Sequence, residues 1–417
     1  MSHYSIADLL SFGGPGDYER LDLPAPAPAA AGGIAVPAAT LEALAERAFS
    51  DIAFFMPIGH VAAIAAILDP ASGSTESDRF VACQLLRNAA IAAEGILPVC
   101  QDTGTAVAYG WKGALVSTDG GEEAAIASGA AKAYAARLLR KSQLAPSSFL
   151  DESNTKDNLP ALVDLRAAAG SEYRFCFVAK GGGSANKTAL SMESPAILEE
   201  AALEARLGER IAALGSSGCP PYRISAVLGG SGPDQALYVL ALAGLGLLDG
   251  LPGRGPSGRA AGPLRDPEWE GRSMRMAAET GGGAQFGGSS LALDARAIRL
   301  TRHAASLPFA TGVSCSAHRA ARAIVSRDGV FLEALERDPG RFLPASMPVL
   351  PDARRIDLDA PQAELGRLLG SMRPGEFLLL SGTVVTARDA AHARFRRLVE
   401  EGRALPDYLF RHPVFYA

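Results

Sequence analysis

The sequence predicts an α/β protein in which a large first domain is followed by a smaller α/β region after about residue 355. Segments with apolar residues every three or four positions, typical of helices, are interspersed with short strand-like segments that end in glycines. A proline-rich stretch over 343–352 resembles a linker between the two regions. The 417 residues suffice for two or three domains of about 100–200 residues each.

The first half of the chain is dominated by predicted helices. Residues 24–33, rich in Pro and Ala, are expected to form a flexible or polyproline-like connector that precedes them. Helical spacing of apolar residues then occurs over 40–67, 79–94 and 122–143. The last of these begins with Glu122 and Glu123 and ends near Arg140, a charge order that suits the helix dipole.

Strand signals begin at residue 173. Residues 173–179 are aromatic and β-branched, and 223–228 form a second strand pattern before a long apolar helix. Residues 251–263 are rich in Gly and Pro and are predicted to be a loop. In the smaller region, 377–385 is predicted to be a buried strand, and a charged helix is expected over about 387–402.

Composition excludes several classes of function. Forty basic and 45 acidic residues give a net charge of −5, so no basic field exists to attract nucleic acid or anionic lipid. The longest apolar run, Ala236 to Leu248, is too short to cross a bilayer, and no secretory signal is visible. Five scattered cysteines, an odd number, favour a reducing compartment, so a cytoplasmic location is expected.

Three cysteines lie in loop-like segments with polar and turn-forming neighbours, where a thiolate is expected to be more stable than in an apolar core. They are Cys100, Cys219 and Cys315. Cys83 and Cys176 instead fall within helical and strand patterns and are predicted to be small core residues. No short Cys-x-x-Cys spacing is present, so the residues alone leave open whether the three loop thiols bind metal or are idle.

The other signals are a glycine-rich loop and isolated charges. Residues 181–188 nearly match a phosphate-binding loop, but Asn186 replaces the glycine that should precede Lys-Thr. A turn whose backbone N–H groups face a carboxylate fits this segment better than a nucleotide site. For Arg140, His303 and Arg388, a solvated position or a structural ion pair stays open as the alternative to a functional role.

Taken together, these segments resemble the class I iron–sulfur fumarate hydratases, in family order from about residue 45 to the end of the chain. The matching motifs are Cys100-Gln-Asp-Thr-Gly-Thr, Leu139-Arg-x-Ser-Gln, Asn158-Leu-Pro-Ala, residues 179–188, Cys219-Pro-Pro-Tyr, Gly283-Ala-Gln-Phe-Gly-Gly, Arg302-His, Val313-Ser-Cys-Ser-Ala, Gly382-Thr, Arg388-Asp-x-Ala-His, Leu405-Pro-Asp-Tyr and His412-Pro.

The resemblance implies a role for each matched residue. Cys100, Cys219 and Cys315 would bind a [4Fe-4S] cluster and leave one iron open to a C4 dicarboxylate. Asp102 would donate the proton to the leaving hydroxide, with His303 as its partner or stabiliser. The residues implied in substrate binding are Gln101, Arg140, Gly183 and Arg388. A homodimer formed through the first domain is implied as well.

On this basis four segments are expected. They are an N-terminal segment with its Pro/Ala linker (1–38), a cluster-binding hydro-lyase domain (39–345), a linker (346–355) and the start of a smaller, swivelling-type α/β domain (356–417). In the family that second domain continues and supplies a threonine, an arginine and a lysine to the active site. The chain is therefore expected to be C-terminally truncated and to have little activity alone.

The expected reaction is the reversible hydration of fumarate to (S)-malate. Three alternatives remain from the sequence. The chain could be a hydratase of the tartrate or mesaconate type, a catalytically incomplete cluster-binding subunit, or a nucleotide-binding protein that uses residues 181–188.

Overall fold

The computed structural model describes residues 5–253, 262–346, 353–373 and 376–416. The chain divides into two compact units, Met1–Pro348 and Val349–Ala417, and the division falls within the expected linker at 346–355. Of that linker, 347–352 lie outside the described residues, as do 254–261 of the loop predicted at 251–263. The protein is α/β, as the sequence predicts.

The described residues form ten α-helices, several of which match the segments with helical spacing. They are α1 (Ala38–Phe54), α2 (Ile58–Ala66), α3 (Glu76–Ala92), α4 (Glu122–Ala136), α5 (Gly182–Ala185), α6 (Glu200–Ala212), α7 (Pro233–Gly244), α8 (Pro267–Glu279), α9 (Gln362–Gly370) and α10 (Asp389–Glu400). None of the helices in this part of the chain is long and apolar enough to span a membrane.

Two predicted helices are shorter than expected. The segment 40–67 is divided near Pro57: α1 ends at Phe54, Phe55 is extended, and Pro57, which has no backbone N–H to continue a helix, immediately precedes α2. The helix predicted to reach residue 143 ends at Ala136, where Leu138 takes up a left-handed backbone conformation with φ of 52°. Arg140 therefore lies in a loop beyond α4, and the helix-end position expected for it is wrong.

Twenty strands are described. They are β1 (Tyr18–Leu21), β2 (Ala27–Pro28), β3 (Ile34–Val36), β4 (Thr105–Gly113), β5 (Val116–Thr118), β6 (Leu144–Pro146), β7 (Glu152–Asn154), β8 (Leu162–Ala168), β9 (Tyr173–Lys180), β10 (Ala189–Met192), β11 (Tyr222–Gly230), β12 (Leu264–Arg265), β13 (Ala292–Arg302), β14 (Pro308–Ser314), β15 (Ala320–Ser326), β16 (Gly329–Glu333), β17 (Arg354–Asp357), β18 (Leu378–Ser381), β19 (Val385–Thr386) and β20 (Val414–Phe415).

Two sheets organise the first unit. One has the strand order β1-β16-β15-β9-β4-β8 and the other has the order β10-β14-β11-β13-β12. A three-stranded sheet joins β2, β3 and β5, so the connector expected at 24–33 contributes a short strand. Within the five-stranded sheet, β11 runs parallel to β13 and antiparallel to β14. The carboxyl end of β14 therefore meets the amino end of β11.

Helices cover both sheets and form a layered core. α1 and α4 pack on the six-stranded sheet, where Phe49 contacts Phe177 edge to face with ring centroids 5.6 Å apart. α7 packs between the sheets, since its apolar residues share one core cluster with Val178 of β9 and Ala310 of β14. α6 and α8 cover the remaining face of the five-stranded sheet. This layering fixes the ends of β9, β11 and β14, from which the candidate site is built.

The C-terminal unit contains two parallel strand pairs, β17 with β18 and β19 with β20, together with α9 and α10. Its small core consists of Ile356, Leu358 and Leu365. The buried strand expected at 377–385 is exposed in the described unit, where Leu380 retains 55% of its accessible surface. The reason is that β18 pairs with β17 alone in the described part of the chain.

Candidate active site

Three cysteine loops and the glycine-rich loop meet at one end of the five-stranded sheet. The N–H of Gly182 donates to Oδ2 of Asp102 at 2.8 Å, which joins the glycine-rich loop to the Cys100 loop. The N–H of Ser316 donates to the carbonyl of Cys219 at 3.0 Å, which joins the other two cysteine loops. A Cβ on Gly183 would lie 3.3 Å from the Ser217 carbonyl. The four loops therefore share one neighbourhood.

Cys100 lies in the loop between α3 and β4 and is partly buried. The N–H of Val99 donates to the carbonyl of Ala53 at 2.9 Å, and Nδ2 of Asn88 donates to the carbonyl of Val99 at 2.8 Å. The loop is thus fixed to α1 and α3 immediately before the thiol. Sγ of Cys100 lies 3.8 Å from Oε1 of Gln101, the neighbouring residue implied in substrate binding, whose side chain is exposed.

Cys219 occupies a tight turn before β11. Its φ is 61°, in the left-handed region, and the Pro220–Pro221 peptide bond that follows is cis. The hydroxyl of Tyr222 accepts the N–H of Gly218 at 3.0 Å and donates to the carbonyl of Gly215 at 2.8 Å, which fixes the turn. The Cys219 residue is exposed, so its thiol is available to a ligand.

Cys315 directly follows β14 and is partly buried. The carbonyl of the next residue, Ser316, lies 2.7 Å from Nε2 of His60, and because a carbonyl can only accept, that nitrogen carries the proton. Burial lowers the pKa of His60 to about 4, so the ring is neutral near pH 7. By contrast Cys83 and Cys176 are fully buried, as their helical and strand patterns predict.

The cysteine loops do not stabilise the thiolates of Cys100 and Cys219 as the sequence context suggested. Burial raises the pKa of Cys100, and Arg319 only partly offsets this. Although the Cys219 residue is exposed, partial burial of its thiol raises the pKa of Cys219, and nearby Cys315 and Cys100 raise it further. Binding of a metal would therefore have to release protons from these thiols.

Asp102 is oriented by backbone donors. Its Oδ1 accepts the N–H of Gly104 at 3.0 Å, and its Oδ2 accepts the N–H of Gly182. Gly104 has a φ of +75°, and a Cβ there would lie 2.7 Å from the Lys180 carbonyl, so only glycine permits this approach. The glycine-rich turn was expected to direct its N–H groups at a bound carboxylate. The N–H of Gly182 instead donates to the carboxylate of Asp102, a side chain of the same protein.

Arg140 is placed by backbone contacts that leave its guanidinium free. Its carbonyl accepts the hydroxyl of Thr103 at 2.5 Å and Nδ2 of Asn158 at 2.8 Å. Oδ1 of Asn158 in turn accepts the N–H of Ser142 at 2.5 Å. Among the described residues no hydrogen bond or ion pair engages the Arg140 side chain, which is exposed. Such a guanidinium can bind a carboxylate through two parallel hydrogen bonds.

His303 lies far from the other candidates of the first unit. It follows β13, and Arg302 pairs with Gly230 at the carboxyl end of β11, whereas Cys219 precedes the amino end of that strand. At about 3.3 Å per residue, the length of β11 separates them by roughly 25 Å. Within one chain His303 therefore cannot be the partner of Asp102, and this expectation is corrected. Its Nδ1 accepts the N–H of Ala305 at 3.1 Å.

Arg388 belongs to the C-terminal unit, where it directly precedes α10. Its Nε lies 3.7 Å from Oδ2 of Asp389, and both side chains are exposed. The contact is long for an ion pair. It corresponds to the structural ion pair that the sequence left open as the alternative to a functional role for Arg388. The carbonyl of Arg388 accepts the N–H of His392 at 2.9 Å, as expected in the first turn of a helix.

The second glycine-rich motif, 281–288, is organised by a buried acid that sequence reasoning missed. Asp78 caps α3, and its carboxylate also accepts the N–H groups of Ala284 (3.0 Å), Ser289 (2.9 Å) and Ser290 (3.2 Å). Gln285 in this loop donates to the carbonyl of Pro220 at 3.4 Å, beside Cys219. The motif therefore supports the Cys219 turn.

We expect Gly288→Ala to destabilise the first unit by at least about 2 kcal/mol, because a Cβ would lie 2.4 Å from Oδ2 of Asp78 and φ is +132°. Urea denaturation measures this. Gly281→Ala is the matched control, since its φ is +68° but a Cβ there meets nothing within 4 Å. If both variants lose the same stability, the close approach to Asp78 is not what Gly288 provides.

Comparison with known proteins gives a consistent result. A family model described as fumarate hydratase (Fumerase) matches residues 42–324, and one described as fumarase C-terminus matches 329–417. The chain is 43% identical over 380 residues to "Fumarate hydratase class I, aerobic" of Salmonella typhimurium, a match that covers 90% of this chain. Over the same share it is 43% identical to the Escherichia coli K12 protein of that name and 42% identical to "Fumarate hydratase 2" of Leishmania major.

The matches cover a smaller share of the relatives themselves. The aligned region spans 65% of the Salmonella protein, 69% of the Escherichia coli protein and 66% of the Leishmania protein. The chain thus spans about two thirds of the length of the relatives it matches. All four loops of the site, at residues 100–104, 181–186, 215–219 and 315–319, lie within the matched segment 42–324.

Proposed function

Since the chain belongs to the class I fumarate hydratase family, we propose that it catalyses the reversible hydration of fumarate to (S)-malate. The observation that carries this proposal is the meeting of the three cysteine loops around Asp102, an acid held by two backbone N–H groups. The relatives are longer than this chain, so their activity is not carried over to it as a finding. Hydratase activity of this chain is proposed.

The donor set fits an iron–sulfur cluster. No three His, Cys, Asp or Glu side chains of the described residues are close enough to share one metal ion. In a [4Fe-4S] cluster each cysteine binds a different iron, so the three sulfurs stand further apart than the ligands of a single ion. Cys100, Cys219 and Cys315 would hold it. When bound, such a cluster supplies a Lewis acid at the iron that lacks a protein ligand.

The chain's own residues would bind the substrate and move the proton. Asp102 is placed to donate a proton to the departing hydroxide in dehydration and to accept it in hydration, because two N–H groups fix its carboxylate beside the Cys100 loop. We also assign substrate contacts to Gln101, which precedes Asp102 in sequence, and to the backbone of Gly183, which follows Gly182. We assign the binding of substrate carboxylates to Arg140 and Arg388.

Two further parts of the proposal follow the family resemblance. The enzyme would be cytoplasmic, where cysteine thiols are kept reduced and can therefore bind a cluster, and it would form a homodimer. Light scattering of the purified chain gives the mass directly. A monomeric mass at micromolar concentration would contradict the dimer without affecting the proposed reaction.

Turnover of fumarate, malate, tartrate and mesaconate by anaerobically reconstituted protein tests the proposed function. Preference for fumarate and malate supports it, and preference for tartrate or mesaconate would assign a related hydratase. Cluster binding without turnover of any of the four would support the alternative of a catalytically incomplete cluster-binding subunit.

We expect Arg140→Lys to weaken dicarboxylate binding about tenfold to a hundredfold. The change keeps the charge but loses the planar pair of donors, and a charge-assisted hydrogen bond contributes roughly 1.5–3 kcal/mol. Anaerobic calorimetry with malate measures the affinity. Arg137→Lys is the matched control, because Arg137 lies three residues earlier and its Nε donates to Ser50 at 2.8 Å.

The same measurement on Arg388→Lys tests the second assignment independently. Here Arg396→Lys is the control, since Arg396 is an exposed cation on α10 that pairs with Glu400 at 2.7 Å. Unchanged malate affinity in Arg140→Lys or in Arg388→Lys, with the cluster retained, would return that arginine to a structural role.

A further inference from the structure

A lysine that the catalytic proposal does not use points into the cysteine site. Lys180 is the last residue of β9, and its Nζ donates to the carbonyl of Val313 at 2.9 Å. Val313 lies on β14, two residues before Cys315. Lys180 and Cys315 line the same cavity, which has a volume of about 270 Å³. The ammonium is therefore fixed beside the loop that carries Cys315.

This ammonium lacks a conventional counter-ion. No carboxylate in the described part of the chain lies within ion-pairing distance of Lys180, although the side chain is mostly buried. Its side chain lines the same cavity as Cys315, whose sulfur is one of the three implied cluster ligands. Burying a charge without an opposite charge is unfavourable, so negative charge brought into this cavity would stabilise the ammonium of Lys180.

We propose that Lys180 is the counter-charge of the cysteine site, and that the carbonyl of Val313 positions it to compensate the negative charge of the cluster thiolates. The inference rests on the proposed function, because the thiolates carry this charge only when they bind iron. A cation in a low-dielectric site stabilises the more negative, reduced form of a cluster and so raises its reduction potential.

The neighbouring cation has a different role. Arg319 donates through Nη1 to the carbonyls of Asp102 and Thr103, and thereby links its own loop to the Cys100 loop. The Asp102 carboxylate also lies near its guanidinium, since a Cβ on Gly181 would be 3.1 Å from Oδ2 of Asp102 and 3.3 Å from Nη2 of Arg319. Arg319 therefore has both carbonyl acceptors and an acidic neighbour, whereas Lys180 has one carbonyl acceptor and no ion-paired acid among the described residues.

The test compares Lys180→Met with the wild-type chain after anaerobic reconstitution. We expect the cluster to be lost to an iron chelator about tenfold to a hundredfold faster, as for changes in other outer-shell partners of metal sites. We also expect its reduction potential to become more negative. A tenfold change in the one-electron equilibrium corresponds to about 59 mV. Lys180→Arg, which keeps the charge, should retain most of both properties.

Arg174→Met is the matched control. Arg174 lies on the same strand, donates to the carbonyl of Ala7 at 3.2 Å and is roughly 20 Å from Lys180 along β9. It should leave cluster loss and potential unchanged. Lys180→Gln, a neutral variant that keeps a hydrogen-bond donor, replaces Lys180→Met if circular dichroism shows that the latter is misfolded, and its expected results are the same.

The outcomes separate the two proposals. A wild-type chain that binds no iron would contradict the proposed function itself. A wild-type chain that binds the cluster, together with a folded neutral variant whose potential and chelator sensitivity are unchanged, would overturn the role of Lys180 alone. Equal shifts in the Lys180 and Arg174 variants would show a general effect of positive charge and would also overturn it.

Discussion

Replacement of Cys100, Cys219 or Cys315 by Ser is expected to abolish iron binding and to reduce hydratase activity by at least about a thousandfold. A Lewis acid contributes several kcal/mol to such a reaction, and each 1.36 kcal/mol is a factor of ten in rate. Each of the three loops contributes one thiol, and in the described residues no fourth cysteine lies in these loops to replace it. Loss of one ligand therefore leaves an incomplete site.

The measurement is iron content and visible absorption after anaerobic reconstitution, followed by malate turnover. Cys83→Ser and Cys176→Ser are the controls, since both residues are buried in the core and lie outside the four loops of the site. They are expected to cost some stability and to retain the cluster. Iron binding that survives in one loop variant but fails in Cys83→Ser would show that the ligand assignment is wrong.

The fold was predictable where one local signal dominates. The strand at Tyr173–Lys180 and the helix at Pro233–Gly244 match their sequence patterns, because both are packed on more than one side and are therefore apolar along most of their length. The end of α4 was not predictable in this way. Arg137, Leu138 and Arg140 are acceptable in a helix, but the carbonyl of Arg140 is used by Thr103 and Asn158, which are distant in sequence.

The site shows the same division. Motif order and residue type singled out the three cysteines and Asp102, and the structure brings their loops together. The distance between His303 and Asp102 could not be obtained from the sequence. Arg302 and His303 sit in a matching motif, yet they lie at the carboxyl end of β11, whereas the cysteine loops lie at its amino end. The long-range contacts of supporting residues such as Asp78, His60 and Lys180 could not be predicted from the sequence, since each acts on a backbone group brought close only by folding.

Asp102→Asn is expected to lower kcat about 10²- to 10⁴-fold while the cluster is retained, because the amide cannot donate a proton to the departing hydroxide. Asparagine keeps one oxygen that can accept from Gly104 or Gly182, so the loop is disturbed but not lost. Steady-state kinetics with malate, normalised to iron content, measures the effect.

A merely structural role for Asp102 would give a different pattern of losses. Asp102 is two residues from Cys100, so a collapsed loop would lose iron and activity together. Thr103→Val is the matched control, because it removes the hydroxyl that holds the carbonyl of Arg140 at 2.5 Å without removing the acid. It is expected to raise KM for malate more than it lowers kcat, because the proposal assigns substrate binding to Arg140. If Asp102→Asn behaves like Thr103→Val, with kcat nearly unchanged, the proton donor must be another group, and Asp102 only orders the loop between Cys100 and β4.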